Sequence, residues 1–167
     1  CAIDGFLITY NFSRKDNKDI FFFAKEKHWR SKIAQFFARK NNIILMDINK
    51  NVRQSLQEMY AVLEKGKNIV IFPEGTRSKD NKMKKFKDTF AILSKELNIP
   101  IVPIAIAGSE SACYGSSIIP KFRKKIDIEV VDPIMPDSNQ SVERRRDEVE
   151  KKIEKCLSKT AYFHNNT

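Results

Sequence analysis

The most informative stretch of the sequence is Asn68–Ser78, which reads NIVIFPEGTRS. Residues Asn68–Phe72 are too apolar on both alternating faces for a half-exposed strand, which predicts a central strand of a parallel sheet. Pro73 ends the strand, and Gly75 allows a tight turn with close approach of the backbone. Because open α/β sheets bind ligands beyond the carboxyl ends of their strands, this turn is a candidate binding site.

The residue types of this turn favour an anionic ligand. Arg77 can hold a phosphate or carboxylate through two parallel hydrogen bonds, and the hydroxyls of Thr76 and Ser78 add donors. A structural alternative is a turn held together by a pair between Glu74 and Arg77, three residues apart. Both interpretations remain open from the turn alone.

Short apolar runs alternate with segments of helical period on both sides of this stretch. Further strands are predicted at Ile20–Lys25, Ile43–Asp47, Ile101–Ile106 and Lys125–Asp132, the last with one solvent-facing side. Helices are predicted around Trp29–Phe37, from Val52 to a stop at Gly66, from Phe86 to a C-cap at Asn98, and from Ser141. This pattern predicts an α/β fold: a single domain over 1–160 with a mostly parallel central sheet flanked by helices, then a flexible tail at 161–167.

Composition agrees with one folded domain. The chain has 167 residues, 41% of them hydrophobic, which is enough for one core and disfavours disorder. Its net charge of +10 is local, since residues 79–87 and residues 121–125 each carry +4. The stretch 143–154 has five basic and five acidic residues and is expected to form a solvated helix face. The excess charge indicates a phosphorylated, acidic or membrane-surface partner.

Other classes of site and segment are disfavoured. Cys1, Cys113 and Cys156 are an odd number without metal-ligand spacing, so neither a disulfide framework nor a metal site is predicted. The longest apolar run, Ile99–Gly108, is far shorter than the roughly 20 residues of a membrane span. No cofactor is expected.

Several segments together resemble the 1-acylglycerol-3-phosphate acyltransferase family. Phe72–Ser78 resembles its FPEGTRS block, Ala24-Lys25 its AK segment, Phe86-Lys87 its FK element, and Ile101–Ile104 its fourth block. The matches run from about Cys1 to Ile134, in the order and spacing of the family. The resemblance implies a glycerolipid-acyltransferase-like fold and transfer of a fatty acyl group to a lysophospholipid.

The family's first block is a His followed, five residues later, by an Asp. Ala2–Leu7 resembles the end of that block with Asp4 as the acid, so the His is expected upstream of Cys1. The resemblance implies that this His takes the proton of the acceptor hydroxyl while Asp4 orients the imidazole. The chain is therefore expected to be a truncated fragment, inactive alone. His28 and His164 are expected to lie on the surface and in the tail.

The resemblance also implies a set of substrate-binding residues: Lys25, Glu74, Gly75, Thr76, Arg77 and Pro103. Many family members have an Arg after the Asp of their second block, and here Ile48 follows Asp47. Lys50 or Arg53 could substitute for that Arg. This departure leaves the acceptor headgroup open and makes a glycerophosphodiester lysolipid more plausible.

The implied partners are acyl-CoA or acyl-carrier protein as donor, a lysophospholipid acceptor and an anionic membrane surface. Membrane or donor contact is assigned to Lys79, Lys82, Lys84, Lys85, Lys87, Lys121, Arg123, Lys124 and Lys125, although solvated runs without a function are the usual alternative. We expect the cytoplasmic face of a membrane, with peripheral attachment or an anchor outside this chain. Alternatives are a catalytically incomplete binding domain of a larger fusion protein and, less favoured because it has no nucleic-acid motif, a basic nucleic-acid-binding module.

Overall fold

We describe the fold from a computed structural model of the chain, which covers residues 4–11, 17–25, 42–46, 52–75, 83–109 and 125–165. The helices there are α1 (Asp4–Asn11), α2 (Val52–Glu64), α3 (Thr89–Leu97) and α4 (Val142–Asn165). The strands are β1 (Ile20–Lys25), β2 (Ile43–Met46), β3 (Asn68–Val70), β4 (Ile104–Ala107) and β5 (Asp127–Val130). The combination of helices with a parallel sheet confirms the predicted α/β fold.

The chain divides into two compact units, which we describe separately. One unit is Ile8–Phe72, and the other joins Cys1–Leu7 to Pro73–Thr167. The helix predicted around Trp29–Phe37 lies outside the described residues, as does His28.

The Ile8–Phe72 unit contains a three-stranded parallel sheet in the order β2-β1-β3. Strand β1 has the predicted bounds, and its Ile20 and Phe22 are buried. It pairs Phe22 with Ile43 of β2 and with Val70 of β3. The parallel pairing was predicted, but β1 is the middle strand. In the part of the chain that the structure describes, β3 pairs with β1 alone and is not central.

Helix α2 ends where the sequence predicts. Gly66 has a φ of 69°, in the left-handed region that favours glycine. Its N–H donates to Leu63 O at 2.9 Å, and the N–H of Lys67 donates to Val62 O at 3.3 Å. These bonds satisfy the last carbonyls of the helix, as in a Schellman-type cap.

The second unit is built on the antiparallel pair β4–β5, with α4 packed against β4 and α3 packed against α4. Pairing extends to a bridge between Ile101 and Ile134. The buried centre of its core is Phe86, Ile134 and Val149, with Met83, Phe90, Ile101 and Ile153 packed against it. Most of this core therefore comes from residues that follow β4 in the chain or lie just before α3.

Helix α3 confirms one prediction and corrects another. Asn98 caps it in the left-handed conformation, with a φ of 52°, as the sequence indicates. The prediction that Phe86 begins this helix is wrong, because α3 starts at Thr89. Phe86 lies in the irregular segment before the helix and meets Phe90 edge-on, with ring centroids 6.3 Å apart. A buried aromatic residue one turn before a helix mimics the helical spacing.

Helix α4 begins as predicted, with Ser141 Oγ accepting the N–H of Arg144 at 3.2 Å. The expectation that its charged first half forms only a solvated face is wrong, because Arg145 is fully buried, at 0% exposure. Arg145 Nη1 donates to Ser94 Oγ at 2.7 Å and Nη2 donates to Asp137 O at 2.7 Å. The helix extends to Asn165, past residue 161 where the sequence analysis places the start of a tail.

Candidate active site

The turn Pro73–Gly75 follows β3 in the chain and has the conformation that its sequence predicts. Gly75 has a φ of 66°, which a residue with a side chain adopts only with strain. The N–H of Lys87 donates to Pro73 O at 2.9 Å. The Glu74 carboxylate accepts the N–H of Lys84 at 3.2 Å. Two hydrogen bonds from residues 83–87 therefore hold the turn.

The core of the second unit and helix α4 hold residues 83–87 in place. Phe86 is 5% exposed and packs with Val149 of α4. The Phe86 N–H donates to the Glu150 carboxylate at 3.2 Å. The two residues of the FK element thus have different environments. Phe86 anchors the segment in the apolar core, while Lys87 is exposed beside the turn.

Asp4 is the first residue of α1 and is 8% exposed. It belongs to the same compact unit as the Pro73–Gly75 turn. A buried carboxylate in a fixed position has the property needed to orient an imidazole and stabilise its protonated form.

A family model described as Acyltransferase matches residues 1–107 of the chain. That segment includes Asp4, β1 and the Pro73–Gly75 turn and extends to the end of β4.

The chain belongs to the Acyltransferase family.

Individual relatives agree with this family. A 1-acyl-sn-glycerol-3-phosphate acyltransferase of Limnanthes douglasii is 33% identical over 90 residues, which are 53% of this chain and 32% of the relative. One of Cocos nucifera is 31% identical over 96 residues, 56% of this chain and 31% of the relative. The chain thus spans about a third of the length of the curated relatives it matches.

A solved structure shows the same fold. The crystal structure of the 1-acyl-sn-glycerophosphate acyltransferase PlsC of Thermotoga maritima has a TM-score of 0.68 to this chain at 25% sequence identity. The alignment covers 84% of this chain and 56% of that protein. The resemblance noted in the sequence and the predicted fold class are both confirmed.

The other predicted substrate-binding residues of this Acyltransferase chain are distributed over both units. Lys25 ends β1 in the Ile8–Phe72 unit, where its backbone pairs with Met46. Pro103 is buried in the second unit, and its carbonyl accepts the N–H of Val131 at 2.9 Å. Pro103 therefore has a structural contact just before β4, and its role in substrate binding stays a prediction. Thr76 and Arg77 lie outside the described residues.

The basic clusters are described only in part. Lys84, Lys85, Lys87 and Lys125 are exposed. Lys125 Nζ lies 3.5 Å from Asp127 Oδ1 in an ion pair at the surface. The remaining members lie outside the described residues: Lys79, Lys82, Lys121, Arg123 and Lys124. Two residues were suggested as substitutes for the Arg that many family members have after the Asp of the second block. Arg53 is exposed on α2, and Lys50 lies outside the described residues.

Three further observations bear on the chemistry of the described residues. They contain no group of His, Cys, Asp and Glu side chains that could hold a metal ion. None of the helices described is long and apolar enough to cross a membrane. Burial raises the pKa of the Cys156 thiol to about 11, with a hydrogen bond to Glu129 adding to the shift. Cys156 is therefore protonated near neutral pH and is a poor nucleophile.

Sequence reasoning missed the link between the turn and α4. Glu150 is 64 residues from Phe86 in the sequence. Lys87 was assigned to a membrane or donor surface, and its position beside Gly75 was not predicted. Residues 83–87 form no helix or strand, so no periodic signal in the sequence marks either position.

Proposed function

We propose that the protein transfers a fatty acyl group from an acyl thioester to the free hydroxyl of a lysophospholipid, with 1-acylglycerol 3-phosphate as the first acceptor to test. The observation that carries this proposal is the Pro73–Gly75 turn within the FPEGTRS block, which is held by two hydrogen bonds in the same compact unit as the buried Asp4. The names of the relatives from Limnanthes douglasii and Cocos nucifera support the acceptor class.

The reaction needs a base for the acceptor hydroxyl. The expected His upstream of Cys1 takes the hydroxyl proton while the acceptor oxygen attacks the thioester carbonyl. An ester bond forms, the carbon–sulfur bond breaks, and the imidazolium returns the proton to the leaving thiolate. Asp4 holds the imidazole in the tautomer that this sequence requires and stabilises its cation. No cysteine is needed as a nucleophile.

Acceptor binding is assigned to the turn and its neighbours. Arg77 provides a bidentate donor for the phosphate, Thr76 adds a hydroxyl, and Glu74 and Gly75 shape the backbone. Lys25 is assigned to acceptor binding by the family resemblance alone. Pro103 supports the strand end and makes no direct contact in this proposal.

The donor is acyl-CoA or acyl-carrier protein, since both present the acyl chain on a phosphopantetheine arm. The two lysine-rich clusters suit an anionic membrane or an acidic carrier protein, at about 1 kcal/mol per basic residue near such a surface. We place the protein on the cytoplasmic face of a membrane, bound peripherally or through segments outside this chain, in phospholipid synthesis or remodelling.

The test uses the protein as its gene encodes it, with 1-acylglycerol 3-phosphate, lysophosphatidylcholine and glycerol 3-phosphate as acceptors and both thioester donors. We expect Asp4→Asn to reduce kcat by about 10²–10⁴-fold, because the imidazole loses its orienting carboxylate. Asp132→Asn, an identical change at an exposed position, is the matched control and should leave the rate unchanged.

Two results would contradict the proposal. One is a protein that acylates none of these acceptors with either donor. The other is full activity of Asp4→Asn, which would remove the carboxylate from the mechanism. Binding of 1-acylglycerol 3-phosphate without turnover would instead favour the incomplete binding domain.

A further inference from the structure

The side chain of Lys87 crosses the space that the missing side chain of Gly75 leaves open. A Cβ atom built on Gly75 would lie 2.8 Å from Lys87 Cε and 2.9 Å from Lys87 Nζ. Both distances are shorter than van der Waals contact, so the lysine chain packs directly against the glycine backbone. The ammonium is thus held at the middle of the FPEGTRS block rather than extended away from it.

Three hydrogen bonds, at Lys87 and at its two neighbours in the chain, hold the backbone at this position. Its own N–H donates to Pro73 O at 2.9 Å. On one side of it in the chain, the Phe86 N–H donates to Glu150. On the other side, Asp88 accepts a 2.7 Å bond from Arg146 Nη1. Glu150 and Arg146 are four residues apart on α4, so one face of that helix clamps both neighbours of Lys87.

Among the described residues, the two acids nearest to Lys87 at this turn, Glu74 and Asp88, have other hydrogen-bond partners. The nearest acid in sequence, Asp88, is engaged by Arg146. The Glu74 carboxylate accepts the Lys84 backbone N–H. Within the described ranges, no carboxylate lies at ion-pair distance from Lys87 Nζ. An exposed cation beside the backbone of a turn with a positive φ is a favourable setting for a phosphate.

We propose that Lys87 is a direct ligand of the acceptor phosphate, placed over Gly75 by the clamp from α4. The inference rests on the proposed acyltransferase function and deepens it. It reassigns Lys87 from the membrane or donor surface to the headgroup site.

The test compares Lys87→Gln with the unchanged protein in micelles of an uncharged detergent, where no anionic surface contributes. We expect the KM for 1-acylglycerol 3-phosphate to rise about ten-fold, the loss of one charge-assisted hydrogen bond, with kcat changed less than about two-fold. Lys87→Arg should recover most of the loss. Lys151→Gln, which removes a charge from an exposed position on α4, should leave KM unchanged.

The outcomes separate this inference from the function on which it rests. If the unchanged protein is active and Lys87→Gln has a normal KM in neutral micelles, Lys87 is not a phosphate ligand. An effect seen only on anionic vesicles would return Lys87 to the membrane surface and also overturn the inference. Absence of acylation by the unchanged protein would overturn the proposed function itself. A melting temperature for Lys87→Gln within about 2 °C of the unchanged protein excludes unfolding as the cause.

Discussion

Two charged stretches of this chain differ in a way that their net charges do not indicate: the described lysines of the strongly basic stretch are exposed, and the neutral stretch contains a buried arginine. Residues 79–87 carry a surplus of +4, and their described lysines are exposed. Residues 143–154 sum to zero, yet they include Arg145, which has no exposed surface at all. A balanced stretch can thus contain the most deeply buried cation, because burial depends on which backbone and side-chain acceptors a charge can reach.

The difference follows from the neighbours of each stretch. Arg145 is four residues before Val149, so it shares the core-facing side of α4. There, Ser94 Oγ and the Asp137 carbonyl accept hydrogen bonds from its guanidinium group. The described lysines before α3, Lys84, Lys85 and Lys87, lie in an irregular segment that Phe86 anchors in the core. There the backbone carries the structural hydrogen bonds and the ammonium groups remain outside.

The largest expected effect is that of Arg145→Ala. It removes two hydrogen bonds from a charged donor and leaves a cavity, which should lower the free energy of unfolding by about 3 kcal/mol. Urea denaturation followed by circular dichroism measures it. Arg144→Ala, at the exposed neighbouring position, should change stability by less than about 0.5 kcal/mol. Equal effects of the two variants would show that burial does not distinguish these arginines.

A smaller loss of stability is expected from Gly75→Ala, which tests the contact between Gly75 and Lys87 of the basic stretch. The φ of 66° strains an alanine by about 1–2 kcal/mol, and the new methyl group displaces the Lys87 side chain. Gly66→Ala is the matched control, since its φ is 69° and nothing lies within 4 Å of its added Cβ.

Both glycine variants should therefore lose similar stability, measured by thermal melting. Only Gly75→Ala should raise the acceptor KM. A raised KM in Gly66→Ala would show that backbone strain alone weakens acceptor binding. A normal KM in Gly75→Ala would show that the position of Lys87 does not affect acceptor binding.

The smallest effect is expected at Glu150, where the two stretches meet. Glu150→Ala removes the acceptor for the Phe86 N–H and should cost about 1 kcal/mol of stability. Glu150→Gln keeps an acceptor oxygen and should recover most of it. If α4 positions Lys87, the acceptor KM should rise in the alanine variant and return toward normal in the glutamine variant. A KM unaffected by either change would mean that the core alone fixes the segment.

The sequence predicts the features of this fold that depend on local pattern. Strand β1 has its predicted bounds because a short continuous apolar run, rich in residues that favour strands, ends at Lys25. Asn98 caps α3 because its side chain tolerates the left-handed conformation. The positive φ of Gly75 was likewise implied by its place after Pro73.

Features that depend on distant partners were not predictable. The burial of Arg145 requires Ser94, which is 51 residues away, and nothing in the charge pattern of α4 marks that residue. The same holds for the contact of Lys87 with Gly75, because an irregular segment has no period from which its side-chain directions can be derived. In the candidate site, sequence reasoning identified the turn but not the helix that stabilises it.

The position of Phe86 also has a practical consequence for fragment design. Its cluster partners Ile134, Val149 and Ile153 follow β4 in the chain, whereas Met83, Phe90 and Ile101 precede it. A fragment cut after Ala107 would keep the FPEGTRS block but remove the first three partners, with the loss of part of the roughly 2 kcal/mol that burial of Phe86 contributes. The family match, which ends at residue 107, and the packed core of the second unit thus have different boundaries, and expression trials should keep the whole core.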